Sequence, residues 1–185
     1  MTVATGVGDE AVATRRAIED GLGADLLVVC GGVSVGPHDH VKPALAALGV
    51  EQRFWRVALR PGGPAWFGVG GSRPHRTLVL GLPGNPVSAM VVFQLLARPA
   101  LRALQLADPA PRVVSAILDE DVSGASGRVH AVRCRLAMGD DGWHARLTGP
   151  QGSHVLTSML GADALALVAA DGVRAGQRVE VELLA

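Results

Sequence analysis

The 185-residue sequence predicts an α/β domain followed by a small all-β barrel domain, and three observations carry that reading. The branched apolar run Leu26–Cys30 follows an acidic residue and stops at two glycines, as a strand covered by helices on both faces does. Helix-like segments alternate with such runs up to about residue 105. Beyond Asp108-Pro-Ala-Pro111 the pattern becomes short apolar stretches separated by Asp-Gly turns. The expected domains are residues 1–106 and 107–185.

Residues 9–22 read as a helix, with Ala11, Arg15, Ile18 and Leu22 on one face. Asp9 and Glu10 favour its amino end, and Gly21 and Gly23 stop it. The first strand and its glycine loop follow, then a helix from about His40 to Leu48, with Pro43 tolerated in its first turn. Residues 51–60 have β-rich composition and end at Pro61-Gly-Gly-Pro64, where prolines remove ladder donors and force a turn. Residues 65–69 and 77–80 read as two more strands around a 70–74 hairpin loop. A long apolar helix then runs from Val87 to about Leu104, broken or kinked by Pro99 near Arg98. In the second domain, strands are expected at 112–118, 128–137, 143–148, 154–158, 164–168 and 178–184.

Seventeen basic residues balance seventeen acidic ones, which argues against a nucleic-acid partner and still allows a local anion site. With 49% apolar residues the chain can fill a packed core. Cys30 and Cys134 share no metal-ligand spacing. Cys30 reads as a small core residue, and a reducing cytoplasm fits. The sequence opens on no apolar leader and contains no run of about 18 apolar residues, so no membrane association is expected.

Glycines at the carboxyl end of a strand let backbone N–H groups approach an anion, so Gly31, Gly32, Ser34 and Asp39 form a candidate cradle. Asp39 suits either a hard cation such as Mg²⁺ or the cap of the helix starting at His40. In the second loop, Pro83 and Pro86 stiffen the chain around Gly84. Asn85 suits an N-cap, and the amides beyond it, near Ser88, suit an oxyanion; the alternative is simply a well-capped helix. Arg56 and Arg60, four apart on one expected strand, point to one face and suit a tetrahedral oxyanion or a solvated edge. Arg133, between Val132 and Cys134, needs a partner, whether carboxylate or ligand. The six histidines are scattered and suggest no catalytic triad. The central expectation is that two stiff bends, at Gly32 and Gly84, lie side by side around a negatively charged small molecule.

Three motifs, in order, then carry a resemblance: Gly31-Gly-Val-Ser-Val-Gly-x-x-Asp39, Phe54-Trp-Arg-Val-Ala-x-Arg-Pro-Gly62 and Gly81-Leu-Pro-Gly-Asn-Pro-Val-Ser-Ala89. They resemble the molybdopterin molybdenumtransferase family, which includes bacterial MoeA and the E domains of gephyrin and its plant counterpart. Gln151-Gly-Ser-His-Val-Leu-Thr-Ser-Met159, Ala162-Asp-Ala-Leu165 and Ala175-Gly-Gln-Arg-Val-Glu-Val181 extend the likeness over nearly the whole chain. The resemblance implies a three-layer α/β/α molybdopterin-binding domain, incomplete at its amino end, and then the family's β-barrel domain. It implies insertion of molybdenum from molybdate into adenylylated molybdopterin with release of AMP, in a Mg²⁺-dependent, cytoplasmic homodimer. A molybdopterin adenylyltransferase is the implied partner.

By motif position, Ser34, Asp39 and Arg60 fall on catalytic positions, with Asp39 the metal ligand. Gly31, Gly32, Arg56, Pro83, Gly84, Asn85, Pro86 and Ser88 fall on substrate-binding positions, and Arg133 and Ser158 on positions that hold molybdate. Three departures stand out. Gly63 occupies a usual lysine position, and a single Asp9 replaces paired aspartates. The family's Thr-Gly-Asp-Glu segment and two preceding domains have no counterpart, so the chain reads as a fragment, a mis-set start or a shortened paralogue. Such a chain is either a transferase or a binding module or scaffold without turnover.

Overall fold

A computed structural model describes residues 6–8, 10–34, 36, 39–71 and 75–184. The readings of Asp9, His38 and the 72–74 turn lie outside these residues. In chain order the elements are α1 (Ala11–Gly21), β1 (Leu26–Cys30), α2 (Val41–Ala47), β2 (Glu51–Trp55), β3 (Leu59–Arg60), β4 (Trp66–Gly70), β5 (Thr77–Leu82) and α3 (Pro86–Val92). A π-helical turn (Phe93–Ala97), α4 (Arg98–Leu104), β6 (Val113–Leu118), β7 (Val129–Gly139) and β8 (Gly142–Leu147) follow. A 3₁₀ turn (Leu156–Met159), β9 (Ala164–Val168) and β10 (Arg178–Leu183) complete the chain. Two compact units result: Met1–Val57 with Pro64–Gly84, and Ala58–Gly63 with Asn85–Ala185.

The first unit is a four-stranded sheet in the order β1-β5-β4-β2. The expected parallel sheet is in fact mixed: β1 runs parallel to β5, whereas β4 is antiparallel to both β5 and β2. Nor is Leu26–Cys30 the strand buried on both faces. It is the edge among the described strands, half-buried along its length, and Cys30 is exposed at its end rather than part of the core. Full cover falls instead on β5, flanked on both sides and buried from Val79 to Leu82. Ile18 of α1, Val41 and Leu45 of α2, Trp66 and Val79 form this unit's core.

The expected strand over residues 51–60 divides in two. It ends at Trp55, because Arg56 adopts a left-handed φ of 70° that turns the chain out of the ladder. Leu59 and Arg60 then pair in parallel with Val129 and His130 in the other sheet. Arg56 and Arg60 therefore share no strand face, which corrects the reading from their spacing.

The second unit contains a barrel closed by five strands, β7-β8-β6-β10-β9 and back to β7, with β3 appended along β7. Ala116, Leu118, Val132, Cys134, Ala166 and Val181 fill it. Burial pushes the Cys134 thiol up to about 11, so it packs as an inert apolar group. Residues 154–158 do not form the expected strand. They turn as a 3₁₀ helix, with Ser158 N–H bonded to Val155 O, and Ser158 is buried. Near Arg98, where the sequence predicts a break or kink at Pro99, a π turn gives way to a new α-helical segment with Pro99 in its first turn. The irregularity accommodates the missing N–H and the ring's bulk. Residues 86–104 have the length and mean hydropathy (1.4) of a membrane span, yet Gln94 is buried there and bonds Glu182 of β10, as in a packed core helix.

At one end of the barrel His144 is held between two carboxylates, with Nε2 2.7 Å from Asp141 Oδ1 and Nδ1 2.7 Å from Asp119 Oδ1. Asp141 and then Asp119 raise its pKa above 6.5. A raised folded-state pKa adds stability that is full below 6.5 and fades as pH climbs through the folded value. Accordingly, urea unfolding should show His144→Gln costing most at pH 5.5 and least at pH 8.5, and a pH-independent difference would refute the ion-pair reading.

Candidate functional site

In the first unit the two glycine bends do lie side by side. Gly31 N–H bonds Leu82 O at 2.9 Å, extending the β1–β5 ladder by one step. A Cβ placed on Gly84 would sit 3.7 Å from Gly31 Cα, so backbone meets backbone there. Val33 anchors the first bend: it is 1% exposed and occupies the space over Gly81, where any Cβ would come within 2.6 Å of it. That packing accounts for the glycine that opens Gly81-Leu-Pro-Gly84. Pro83 is buried and Gly84 exposed, so the second bend has a fixed root and an accessible tip.

Around the first bend the structure assembles a group that composition and spacing did not suggest. The Trp55 indole N–H donates to Val33 O at 2.9 Å. Lys42 Nζ donates to Ser34 O and lies 3.6 Å from the Trp55 ring centroid. Arg56 stacks on the same ring, its Cζ 4.7 Å from the centroid. Two cations thus share one aromatic ring beside the exposed Ser34. The available signals were Lys42 three residues beyond Asp39, in the first turn of α2, and the tryptophan inside Phe-Trp-Arg. Arg56 keeps its left-handed backbone through an N–H bond to Ala65 O at 2.9 Å; non-glycine residues held this way recur at functional sites.

Asp39 Oδ2 accepts the Gly36 N–H at 2.8 Å. The amino-cap position of α2 belongs to His40, and no side chain caps it. Of the two roles open to Asp39, helix capping is therefore not the one it plays. No hydrogen bond is made to its second oxygen, Oδ1, among the described residues. Among the described residues no three acidic, histidine or cysteine side chains cluster as a metal cage. The donor set fits a cation such as Mg²⁺ that takes one carboxylate oxygen and completes its shell with water and phosphate oxygens.

In the second unit Asn85 occupies the amino cap of α3 with Pro86 first in the helix, as expected. Its side chain makes no cap bond, however; it donates to Ser153 Oγ at 3.2 Å. The well-capped alternative is thus not realised, and Ser88 is buried one turn on. Arg60 is exposed.

Arg133 and Ser158 are brought together. Arg133 is fully buried, on the face of β7 opposite the core residues Val132 and Cys134. Its Nε donates to Ser158 Oγ at 3.2 Å and its Nη1 to Ala131 O at 3.2 Å, while Nη2 has no partner. The Ser158 hydroxyl donates to Val155 O at 2.7 Å, which orients its lone pair toward the guanidinium. Gln151 clamps the Arg133 main chain, accepting its N–H at 2.8 Å and donating to its carbonyl at 3.2 Å. The Gln-Gly-Ser-His motif thereby gains a role that its letters alone did not disclose. Among the described residues no carboxylate answers this cation, and burial lowers its pKa to about 10. His130, on the same strand, is also buried with Nε2 unpartnered. Desolvation and then Arg60, Arg133 and Arg128 lower its pKa, against the raising effect of the Ser123 carbonyl. With Nδ1 facing the Ser123 carbonyl, the unpartnered His130 Nε2 is an acceptor, so the buried donor left for an oxyanion on this stretch of β7 is the Arg133 guanidinium.

Comparison with known proteins agrees with this chemistry. The family described as "Probable molybdopterin binding domain" matches residues 2–103, and the "MoeA C-terminal region (domain IV)" matches residues 115–184. A molybdopterin molybdenumtransferase of Haemophilus influenzae is 34% identical over 86% of this chain and 39% of its own length. The molybdopterin molybdenumtransferase 2 of Mycobacterium tuberculosis is 36% identical over 97% of this chain and 45% of its own. The chain thus spans about two fifths of the curated relatives it matches. Among solved structures, a molybdenum cofactor biosynthesis protein from Pyrococcus furiosus superposes with a TM-score of 0.69 at 28% identity, over 95% of this chain and 55% of that one. A molybdopterin biosynthesis protein from Pyrococcus horikosii gives 0.72 at 27%, over 95% and 41%.

Proposed function

Because the chain belongs to the molybdopterin molybdenumtransferase family, we propose that it takes part in inserting molybdenum from molybdate into adenylylated molybdopterin, with release of AMP. The observation that carries this reading is Arg133: a fully buried guanidinium that, among the described residues, pairs with no carboxylate and leaves its Nη2 group unused, its Nε held by the Ser158 oxygen. A tetrahedral oxyanion answers both the charge and the unpartnered Nη2.

In this reading Arg133 and Ser158 bind molybdate, with Arg133 supplying the counter-charge while the oxyanion is desolvated. Gly31, Gly32, Pro83 and Gly84 offer backbone to the pterin substrate, and Asn85, Pro86 and Ser88 bind substrate from the start of α3. Arg56, with Lys42 beside it, neutralises substrate phosphate, and Arg60 serves the leaving AMP. Ser34 donates a hydrogen bond within the cradle. Asp39 Oδ1 would hold Mg²⁺, which supplies charge neutralisation at the phosphate oxygens when bound. A cytoplasmic homodimer and an adenylyltransferase that supplies the activated pterin complete the proposal.

The test is AMP release from adenylylated molybdopterin with molybdate present, using the 185-residue chain alone and with the rest of a relative supplied in trans. Release that depends on molybdate supports the transferase. Pterin binding without AMP release under either condition assigns the chain to the binding module instead. Asp39→Ala is expected to lower Mg²⁺-dependent turnover at least 100-fold, the scale of losing one electrostatic group at a reacting centre. Its melting temperature should fall by only a few degrees, because the Gly36 N–H is exposed and finds water. Turnover equal to the parent would reassign Asp39 to the Gly36 turn alone.

A further inference from the structure

A groove in the second unit, between α4, the Asp108–Arg112 segment and β10, holds charge that the proposed reaction does not use. It is lined by Gln94, Arg98, Arg102, Pro109, Arg112 and Glu182. Arg98 and Arg102 stand one helical turn apart on α4 and so share a face, a like-charge pairing that disfavours the helix unless something answers it. Arg102 Nε donates to the Asp108 carbonyl, tying the segment to the helix. Arg98 and Arg112 have no side-chain hydrogen-bond or ion-pair partner among the described residues. The groove's one carboxylate, Glu182, is buried and already accepts the Gln94 amide at 2.9 Å.

Three guanidinium groups therefore line the groove with one engaged carboxylate, a local excess in a chain whose charges balance as a whole. Prolines at 99, 109 and 111 set the groove's walls, so its shape precedes any ligand. The π turn directly before Arg98 sets the phase of that helical face, and such turns recur at functional sites. The groove is open to solvent and its inner space is only about 20 Å³, so it seats the oxygens of one small group while the remainder stays outside, and excludes a base or a ring.

We infer that this groove is an oxyanion site, receiving one phosphate group between Arg98 and Arg112 with Arg102 beside it. Phosphate is the fitting class, because a small dianion matches the excess charge and accepts from planar guanidinium groups in pairs. The phosphate is either the free ion or the end of a monoester whose remainder stays in solvent.

The test is calorimetric titration of the 185-residue chain with inorganic phosphate and with phenyl phosphate, at low ionic strength. Binding is expected and should weaken at least tenfold in the double variant R98Q/R112Q, while R53Q, a surface arginine elsewhere, leaves it unchanged. Tighter binding of phenyl phosphate identifies the ester as the ligand form and tighter binding of inorganic phosphate the free ion; either supports the site. Should the double variant misfold, the Arg98 and Arg112 Nε–H resonances of the parent chain must move together on adding phosphate. Absence of binding, equal binding by R98Q/R112Q, equal weakening by R53Q, or unmoved resonances overturns the proposal.

Discussion

Arg133→Met is expected to keep the barrel as stable as the parent, or raise its stability by about 1–3 kcal/mol, while removing molybdate binding. The side chain is fully buried without a carboxylate, and its pKa is lowered to about 10 by burial. That displacement corresponds to roughly 3 kcal/mol spent keeping the cation charged inside the protein. The sign follows from linkage. A base whose folded-state pKa is depressed binds fewer protons folded than unfolded, so its cost is full at neutral pH and eases only as pH climbs through about 10. Methionine fills a similar volume without the charge, and Ser158 keeps its bond to Val155 O. Urea unfolding at pH 7.5 and calorimetry with molybdate check the two halves separately. A loss of more than about 3 kcal/mol would mean that the guanidinium is structural, as breaking a compensated buried pair would be.

Gly32→Ala is expected to destabilise the first unit by about 2–4 kcal/mol and to abolish pterin binding, whereas Gly31→Ala costs about 1–2 kcal/mol. Both glycines have left-handed φ, 68° and 88°, so each alanine carries the same backbone penalty. They differ in what the new methyl group meets. At Gly31 the nearest atom lies 3.9 Å away, an ordinary contact; at Gly32 the Val41 Cγ2 is 2.6 Å away. Val41 is 6% exposed, in the first turn of α2 and in the unit's core, and cannot step aside without moving the helix. Chemical denaturation of the two variants side by side, with pterin fluorescence as the binding readout, gives the comparison. Equal costs would show that the loop yields as a body.

The parts of this protein readable from its letters are those where one residue type answers one local need. Glycine pairs that end apolar runs marked both bends, and the expectation that they lie together holds at Gly31 and Gly84. Arg133 announced itself by being charged between Val132 and Cys134, whereas its hydrogen bond to Ser158 is a partner the letters did not name, since a carboxylate or a ligand was expected. What stayed hidden depended on geometry between distant segments. The left-handed turn at Arg56 falls on a residue type that gives no sign of it, so residues 51–60 read as one strand. The 156–159 turn carries the β-prone Val155-Leu-Thr run, but tertiary demand overrides it, because Ser158 must reach Arg133. Lys42 and Trp55 lie 13 positions apart and meet only because α2 and β2 close on the same bend. Cys30 was misplaced for a related reason, since an apolar strand cannot say whether it lies at the centre or the edge of its sheet.

The short excursion at residues 58–63 has a practical consequence. The chain leaves the first unit after Val57, lays β3 along β7, re-enters at Pro64 and departs for good after Gly84. The chain thus crosses between the units three times, so no single protease cut or cloning boundary yields both intact. A recombinant piece starting at residue 107 would omit β3 and open the side of β7 that β3 covers at Val129 and His130. Dissection should therefore proceed by point substitution rather than by truncation.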